Sequence, residues 1–208
     1  HFIFASSGSV YGVKKEKNVT EDLNLDPIST YNKTKMVAEN IFLNYKNKMQ
    51  IHCIRPATVC GLSPRLRLDV SVNLLTFQAI KKNIINVHGG SQIRPNIYII
   101  DLINIYKHFL DKPYLNSGCY NAGFENLSIL EIAKKIKKKT KCNIIVTKNS
   151  NDLRSYRQCS NKLLRTGFQP KFGVDFAINE LIKKFRLKSF KESEINYTVK
   201  WMKKIKLN

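Results

Sequence analysis

The chain has 208 residues, 43% apolar and 25% charged, which is ordinary for a globular protein able to bury a core as one large or two small domains. It holds no run of about 18 apolar residues, so the expectation is a cytoplasmic protein with no membrane partner. Its 36 basic residues against 15 acidic give a net charge of +21, but 28 of the 36 are lysines spread along the chain. That spread reads as a compositional habit more than a nucleic-acid surface; a basic nucleic-acid-binding module stays open as the alternative of another class.

In chain order, His1 is followed at once by the apolar Phe2-Ile3-Phe4-Ala5, which predicts a buried strand. A chain opening inside a strand reads as lacking an N-terminal part. Ser6-Ser7-Gly8-Ser9 then forms the loop at the strand's carboxyl end, where open α/β sheets place their sites. After a lysine-rich loop and Thr20-Glu21-Asp22, Ser29 opens a helix carrying Tyr31 and Lys35, with Val37, Ala38, Ile41 and Phe42 facing a sheet. Ile51 to Ile54 is the next strand, ended by Arg55-Pro56, so strand, helix and strand make a βαβ unit with parallel strands.

Beyond Leu62 the pattern predicts a turn at Ser63-Pro64-Arg65, a helix from Val70 to Ile80 and a short strand from Ile84 to Val87. A strong strand from Ile97 to Ile100 follows Gly89-Gly90, with Asp101 capping a helix from Leu102 to Leu110. Gly118 to Asn121 reads as a strand, and Ser128 with Glu131 as a capping box. That box opens a helix whose Ile129, Ile132, Ala133 and Ile136 form one stripe, leaving Lys134 to Lys139 as its solvated face. Asn143 to Val146 is a further strand, Gly167 to Pro170 a turn and Val174 to Phe185 the last clear helix. The charged tail from Lys188 has Tyr197, Val199 and Trp201 as anchors.

Five cysteines without a Cys-x-x-Cys suggest free thiols in a reducing compartment, and the four histidines lack ligand spacing, so no metal is expected. Tyr31 and Lys35 share one helix face. A phenol beside an ammonium makes a usable base, because the positive charge favours phenolate. Tyr11 and Lys15 have the same spacing but follow a strand at a turn, where it has no such meaning.

Taken together, Phe2 through Gly12, Thr20-Glu21-Asp22, Tyr31-Asn32-Lys33-Thr34-Lys35, Arg55 through Gly61, Arg94 through Asp101 and Tyr120-Asn121-Ala122-Gly123 resemble the extended short-chain dehydrogenase/reductase family of NAD-dependent nucleotide-sugar epimerases and dehydratases. The resemblance implies an α/β fold: the C-terminal part of a Rossmann-like doubly wound parallel sheet plus a smaller α+β substrate-binding domain. Residues 1–61 would be the second half of the NAD-binding domain, 62–187 mainly the substrate-binding domain with segments returning to the sheet, and 188–208 a tail.

The resemblance makes Ser7, Tyr31 and Lys35 catalytic. It assigns Ala5, Ser6, Tyr31, Lys35, Arg55 and Pro56 to NAD, and Ser7, Ser9, Thr58, Asn73, Leu74, Arg94 and Arg154 to the nucleotide sugar. A homodimer is implied for the full-length protein. None of the nine glycines forms the family's phosphate-binding Gly-rich turn, so this piece alone is expected to be inactive. Thr58 stands where many relatives carry Asn. Gly8 and Ser9 stand where 4,6-dehydratases carry an acidic pair, which shifts the expectation toward a 4-epimerase, with a reductase or dehydratase of the same family as the alternative.

Overall fold

The computed structural model describes residues 1–148 and 155–205. Its first sheet is parallel: β1 (Phe2–Ala5) and β2 (Ile51–Pro56) flank α1 (Thr30–Leu43), and β2 continues to β6 (Gly118–Ala122), in the order β1-β2-β6. The expected βαβ unit is present. A short 3-10 turn, Gly8–Tyr11, follows β1, with Ser7 as its cap.

A second three-stranded sheet joins β3 (Thr58–Cys60), β5 (Ile93–Tyr98) and β7 (Glu125–Ser128), and β4 (Ile84–His88) pairs in parallel with β8 (Asn143–Thr147). The intervening helices are α2 (Ser71–Lys82), α3 (Ile99–Asp111) and α4 (Ile129–Thr140), followed by α5 (Asn161–Leu164), α6 (Val174–Arg186) and α7 (Thr198–Lys204). The largest apolar core gathers Val72, Phe77, Ile132, Ile136, Ile178 and Phe185 from α2, α4 and α6. Ser128 and Glu131 form the expected capping box, and Ile132, Ala133 and Ile136 are buried beneath the lysines.

Three expectations need correction. First, β1 is not buried: it lies at the edge of its sheet with Ala5 exposed. Second, Val37 and Ile41 do not face the sheet but are half exposed, at 50% and 52%. The inward stripe of α1 is Asn32, Lys35, Met36, Glu39, Phe42 and Leu43, because Glu39 has to meet a buried cation on β2. Third, the strand expected at 97–100 runs from 93 to 98 and passes through Pro95; β3 joins it only at Asn96, the first residue after the missing proline donor. Asp101 is therefore inside the first turn of α3, where its carboxylate accepts the backbone N–H groups of Lys171 and Phe172 at 3.0 Å each.

The cation on β2 is Arg55, 4% exposed, and Glu39 is 1% exposed. Arg55 donates from Nε to Glu39 Oε1 at 2.9 Å and from Nη2 to Oε2 at 2.7 Å, a two-pronged fork that docks α1 on the sheet. Phe42 closes the same face, its ring centroid 4.5 Å from Phe2 and 4.9 Å from Phe4. Glu39→Ala leaves a buried guanidinium unpaired and is expected to cost about 3–5 kcal/mol in urea unfolding, whereas the double variant Glu39→Leu with Arg55→Met should retain most of that stability. A single-variant loss near zero would show that the fork does not anchor the helix.

Candidate active site

The site is built where the carboxyl ends of β1 and β2 meet the first turn of α1. Ser29 caps that helix, accepting the Asn32 backbone N–H on its hydroxyl at 3.2 Å. Capping in this register turns Asn32 inward and leaves Tyr31 56% exposed at the mouth. Lys35, one turn on, points its Nζ back to the end of β1: it donates to the Ala5 carbonyl at 2.8 Å, 4.9 Å from the Phe4 ring and 5.6 Å from the Tyr31 ring centroid. The aromatic faces and the carbonyl hold the ammonium beside the phenol.

The serine loop is tied to the same helix turn. Ser7 Oγ and Ser9 Oγ are 2.7 Å apart, and Ser9 Oγ donates to Asn32 Oδ1 at 2.7 Å. Asn32 thus links the loop carrying Ser7 to the turn carrying Tyr31, a role the sequence reading missed although it quoted Tyr31-Asn32-Lys33. Ser6 keeps a buried hydroxyl with no hydrogen-bond partner among the described residues.

Behind these groups lies a buried polar network. Arg55 Nη1 donates to the Tyr11 hydroxyl at 2.7 Å, and Tyr11 donates to Asn121 Oδ1 at 2.8 Å. Burial outweighs the nearby guanidinium and pushes the Tyr11 phenol well above its usual range, so it stays protonated as that donor. Asn121 takes the Glu21 carboxylate on its backbone N–H at 2.8 Å and sends its own amide to Val19 and Cys159 carbonyls. Gln158 completes the set, donating from Nε2 to the Arg55 carbonyl at 2.7 Å and to Asn121 Oδ1 at 3.0 Å. Tyr11, passed over as the wrong Tyr of its spacing, is fully buried in this network.

The remaining residues lie elsewhere. The Arg55 side chain is spent on Glu39 and Tyr11, and its carbonyl already accepts a hydrogen bond from Gln158. Thr58 and Arg94 are on the second sheet. Asn73 does not present its side chain: it is 2% exposed, accepting the Gly61 N–H at 3.0 Å and donating to the Arg67 carbonyl at 2.9 Å. Leu74 N–H is closed inside α2 by the Val70 carbonyl at 2.9 Å, so the orphan donors of that helix start are those of Ser71 to Asn73. Arg154 lies outside the described residues.

A profile of the NAD dependent epimerase/dehydratase family matches residues 1–123. The chain belongs to that family. Among similar proteins, the UDP-glucose epimerase YtcB of Bacillus subtilis (strain 168), itself uncharacterized, is 35% identical over 139 residues, covering 65% of this chain and 43% of the relative. The UDP-glucuronic acid 4-epimerase of Bacillus cereus, solved with UDP-glucuronic acid and NAD, superposes with a TM-score of 0.76 at 26% identity, over 88% of this chain and 60% of that one. The UDP-N-acetylglucosamine 4-epimerase of Bacillus cereus shares the fold, with a TM-score of 0.78 at 20% identity, over 94% and 66%. The chain spans less than half the length of the curated relatives it matches first, 43% and 48%.

The Ser6 hydroxyl, without a partner among the described residues, the exposed Ala5 and the Lys35 ammonium adjoin at the end of β1, a set of groups compatible with the family's cofactor. Among the described residues no group of His, Cys, Asp or Glu could hold a metal ion, and no helix is long and apolar enough to cross a membrane.

Packing also limits what position 8 accepts. A Cβ on Gly8 would lie 3.1 Å from the Gln158 amide and 3.1 Å from the Pro56 carbonyl oxygen, and Gln158 is itself pinned between two partners. Gly8→Asp is expected to destabilise the fold by about 1–3 kcal/mol in urea unfolding, since the carboxylate must displace that strut. An unchanged midpoint would show that the loop moves freely.

Proposed function

We propose that the chain carries the proton-transfer part of an NAD-dependent nucleotide-sugar 4-epimerase, which oxidises a sugar at C4 and reduces it again on the opposite face. The observation that carries this reading is the hydrogen-bond chain Ser7–Ser9–Asn32, which sets a serine hydroxyl against the helix turn presenting Tyr31 beside Lys35. Bound NAD supplies the hydride acceptor and donor. In this reading Tyr31 takes the proton of the C4 hydroxyl, Ser7 turns its own proton away from Ser9 to donate to the same oxygen as it becomes a carbonyl, and Lys35 keeps a positive charge near the phenol.

Ala5, Ser6 and the Arg55-Pro56 backbone hold the cofactor at the strand ends. Residues 1–61 then form the second half of its domain, and 62–187 mainly the substrate part. A nucleotide sugar brings a diphosphate. The start of α2 suits it, because three orphan N–H groups stand there with the buried Ser71 hydroxyl, which has no partner among the described residues. Arg94 and Arg154 add guanidinium groups able to grip phosphate oxygens. The crowding at Gly8 speaks against the acid that water elimination requires.

Incubated with NAD and UDP-glucose, the protein in its longest natural form is expected to produce UDP-galactose. Tyr31→Phe should lower kcat by about 10²–10⁴ with an unchanged circular dichroism spectrum. An active Tyr31→Phe variant would remove the base. A 4-keto sugar taken up without interconversion of hexoses would indicate the reductase.

We also propose a homodimer through α1 and α3. Val37 and Ile41 on one helix and Ile103 and Leu110 on the other, the latter 46% and 62% exposed, leave large apolar groups in water. Sedimentation is expected to give a dimer that Ile41→Glu with Leu110→Glu converts to monomer; a wild-type monomer would refute it.

A further inference from the structure

Cys53 and Cys119 stand directly opposite each other on the parallel strands β2 and β6. Opposed residues of a parallel pair leave the sheet on the same face, with the strands about 5 Å apart, inside the Cα separation of about 4.4–6.8 Å that a disulfide spans. Both thiols are free and buried in one small apolar cluster with Ile51, against Phe2, Phe4 and Phe42. Cys119, 8% exposed against 0% for Cys53, is the one nearer to solvent. Cys119 lines an open cavity of about 400 Å³ together with Glu21, Asp22, Leu43, Arg55 and Lys162.

The surroundings of the two sulfurs differ. Lys162 donates from Nζ to the Cys119 carbonyl at 2.8 Å, which fixes an ammonium at this residue. Arg55, two residues from Cys53 on the same face of β2, brings a guanidinium whose charge is shared with its partner Glu39. The neighbouring Cys53, with Arg55 and Lys162, draws the Cys119 thiol below its usual range against burial and the Glu39 carboxylate, while the same pairing and burial push the Cys53 thiol up. The Lys162 ammonium and the cavity both lie on the Cys119 side of the pair, which assigns the attacking sulfur to Cys119, the thiolate being the nucleophile.

We propose that Cys119 and Cys53 form a redox-active dithiol: Cys119 reacts with a hydroperoxide entering the Lys162 cavity, and Cys53 resolves the product to an intramolecular disulfide. In the first step the Cys119 sulfur attacks the terminal peroxide oxygen and the O–O bond breaks. A sulfenic acid forms, and the leaving hydroxide or alkoxide takes a proton from water. In the second step the Cys53 sulfur attacks the sulfenic sulfur, the S–O bond breaks, and water departs with the Cys53 proton. The two sulfurs together give up two electrons, and the peroxide accepts them. The resulting bond sits one pleat from Arg55 and Asn121, which follow two residues later on the same strands.

The test treats the intact chain under native conditions with hydrogen peroxide, blocks remaining thiols with N-ethylmaleimide and maps the peptides. The expected result is a Cys53–Cys119 linkage, reversed by dithiothreitol, forming about tenfold faster than Cys159 is oxidised, although Cys159 is the more exposed thiol. Cys53→Ser should leave a sulfenic acid on Cys119 that dimedone traps, and Cys119→Ser should leave Cys53 alkylated. The wild-type map decides alone if a variant fails to fold. Oxidation of Cys159 with Cys53 and Cys119 both alkylated, or a linkage seen only after unfolding in urea, would overturn the proposal.

Discussion

A guanidinium buried in the middle of a parallel sheet dictates much of what surrounds it. Arg55 is almost fully removed from water, which is tolerable only with a counter-charge and further acceptors inside the same volume. Glu39 supplies the charge from α1, the Tyr11 hydroxyl accepts from the turn after β1, and the Glu21 carbonyl lies 3.4 Å away on the following loop. Three separate segments are thereby fixed to one strand. Since the 3-10 turn, the Glu21 loop and α1 all converge on Arg55, the carboxyl end of the sheet is held in one arrangement before any ligand arrives.

That arrangement explains the orientation of the helix bearing Tyr31 and Lys35. An apolar stripe of Val37, Ala38 and Ile41 would ordinarily be buried, but burying it would turn Glu39 to solvent and strand Arg55. The ion pair wins, since an unpaired buried charge costs several kcal/mol while two half-exposed aliphatic side chains forfeit less. With Glu39 inward, Lys35 and Asn32 follow on the same face, at spacings of four and seven residues, and reach the end of β1 and the serine loop. The chemistry of the site and the apolar outer face of α1 are two consequences of the same rotation.

How much of this is legible in the sequence depends on what kind of force decides each element. Capping and periodicity are local, so the Ser128–Glu131 box, the α4 stripe and the βαβ order could be read directly. The Tyr31 and Lys35 placement could be read once the flanking motifs selected that pair over Tyr11 and Lys15. The facing of α1 could not, because it is set by a partner sixteen residues away in sequence, and hydrophobic periodicity pointed to the wrong side. The start of β5 was hidden by Pro95, which reads as a strand breaker but is accommodated where β3 pairing begins one residue later. The resemblance assigns Asn73 to the nucleotide sugar; its amide closes the loop from Gly61 to Arg67, a contact no spacing rule predicts.

The loop after β1 shows how packing restricts chemistry. Gly8 sits against the Gln158 amide, and Gly123, on the other side, would place a Cβ 2.8 Å from Gln158 Oε1 and 2.6 Å from the Ala57 Cβ. Two glycines thus make room for one glutamine that bridges the end of β2, the end of β6 and the segment near Asn126. A carboxylate at position 8 would require that bridge to be rebuilt, while the neighbouring Ser9 spends its hydroxyl on Asn32. The loop is left with hydroxyls and no acid: it can steady an oxygen through Ser7, but it has nothing with which to protonate a departing hydroxyl. Among the groups gathered at this strand end, the Tyr31 phenol is therefore the one whose proton faces solvent rather than a neighbouring side chain.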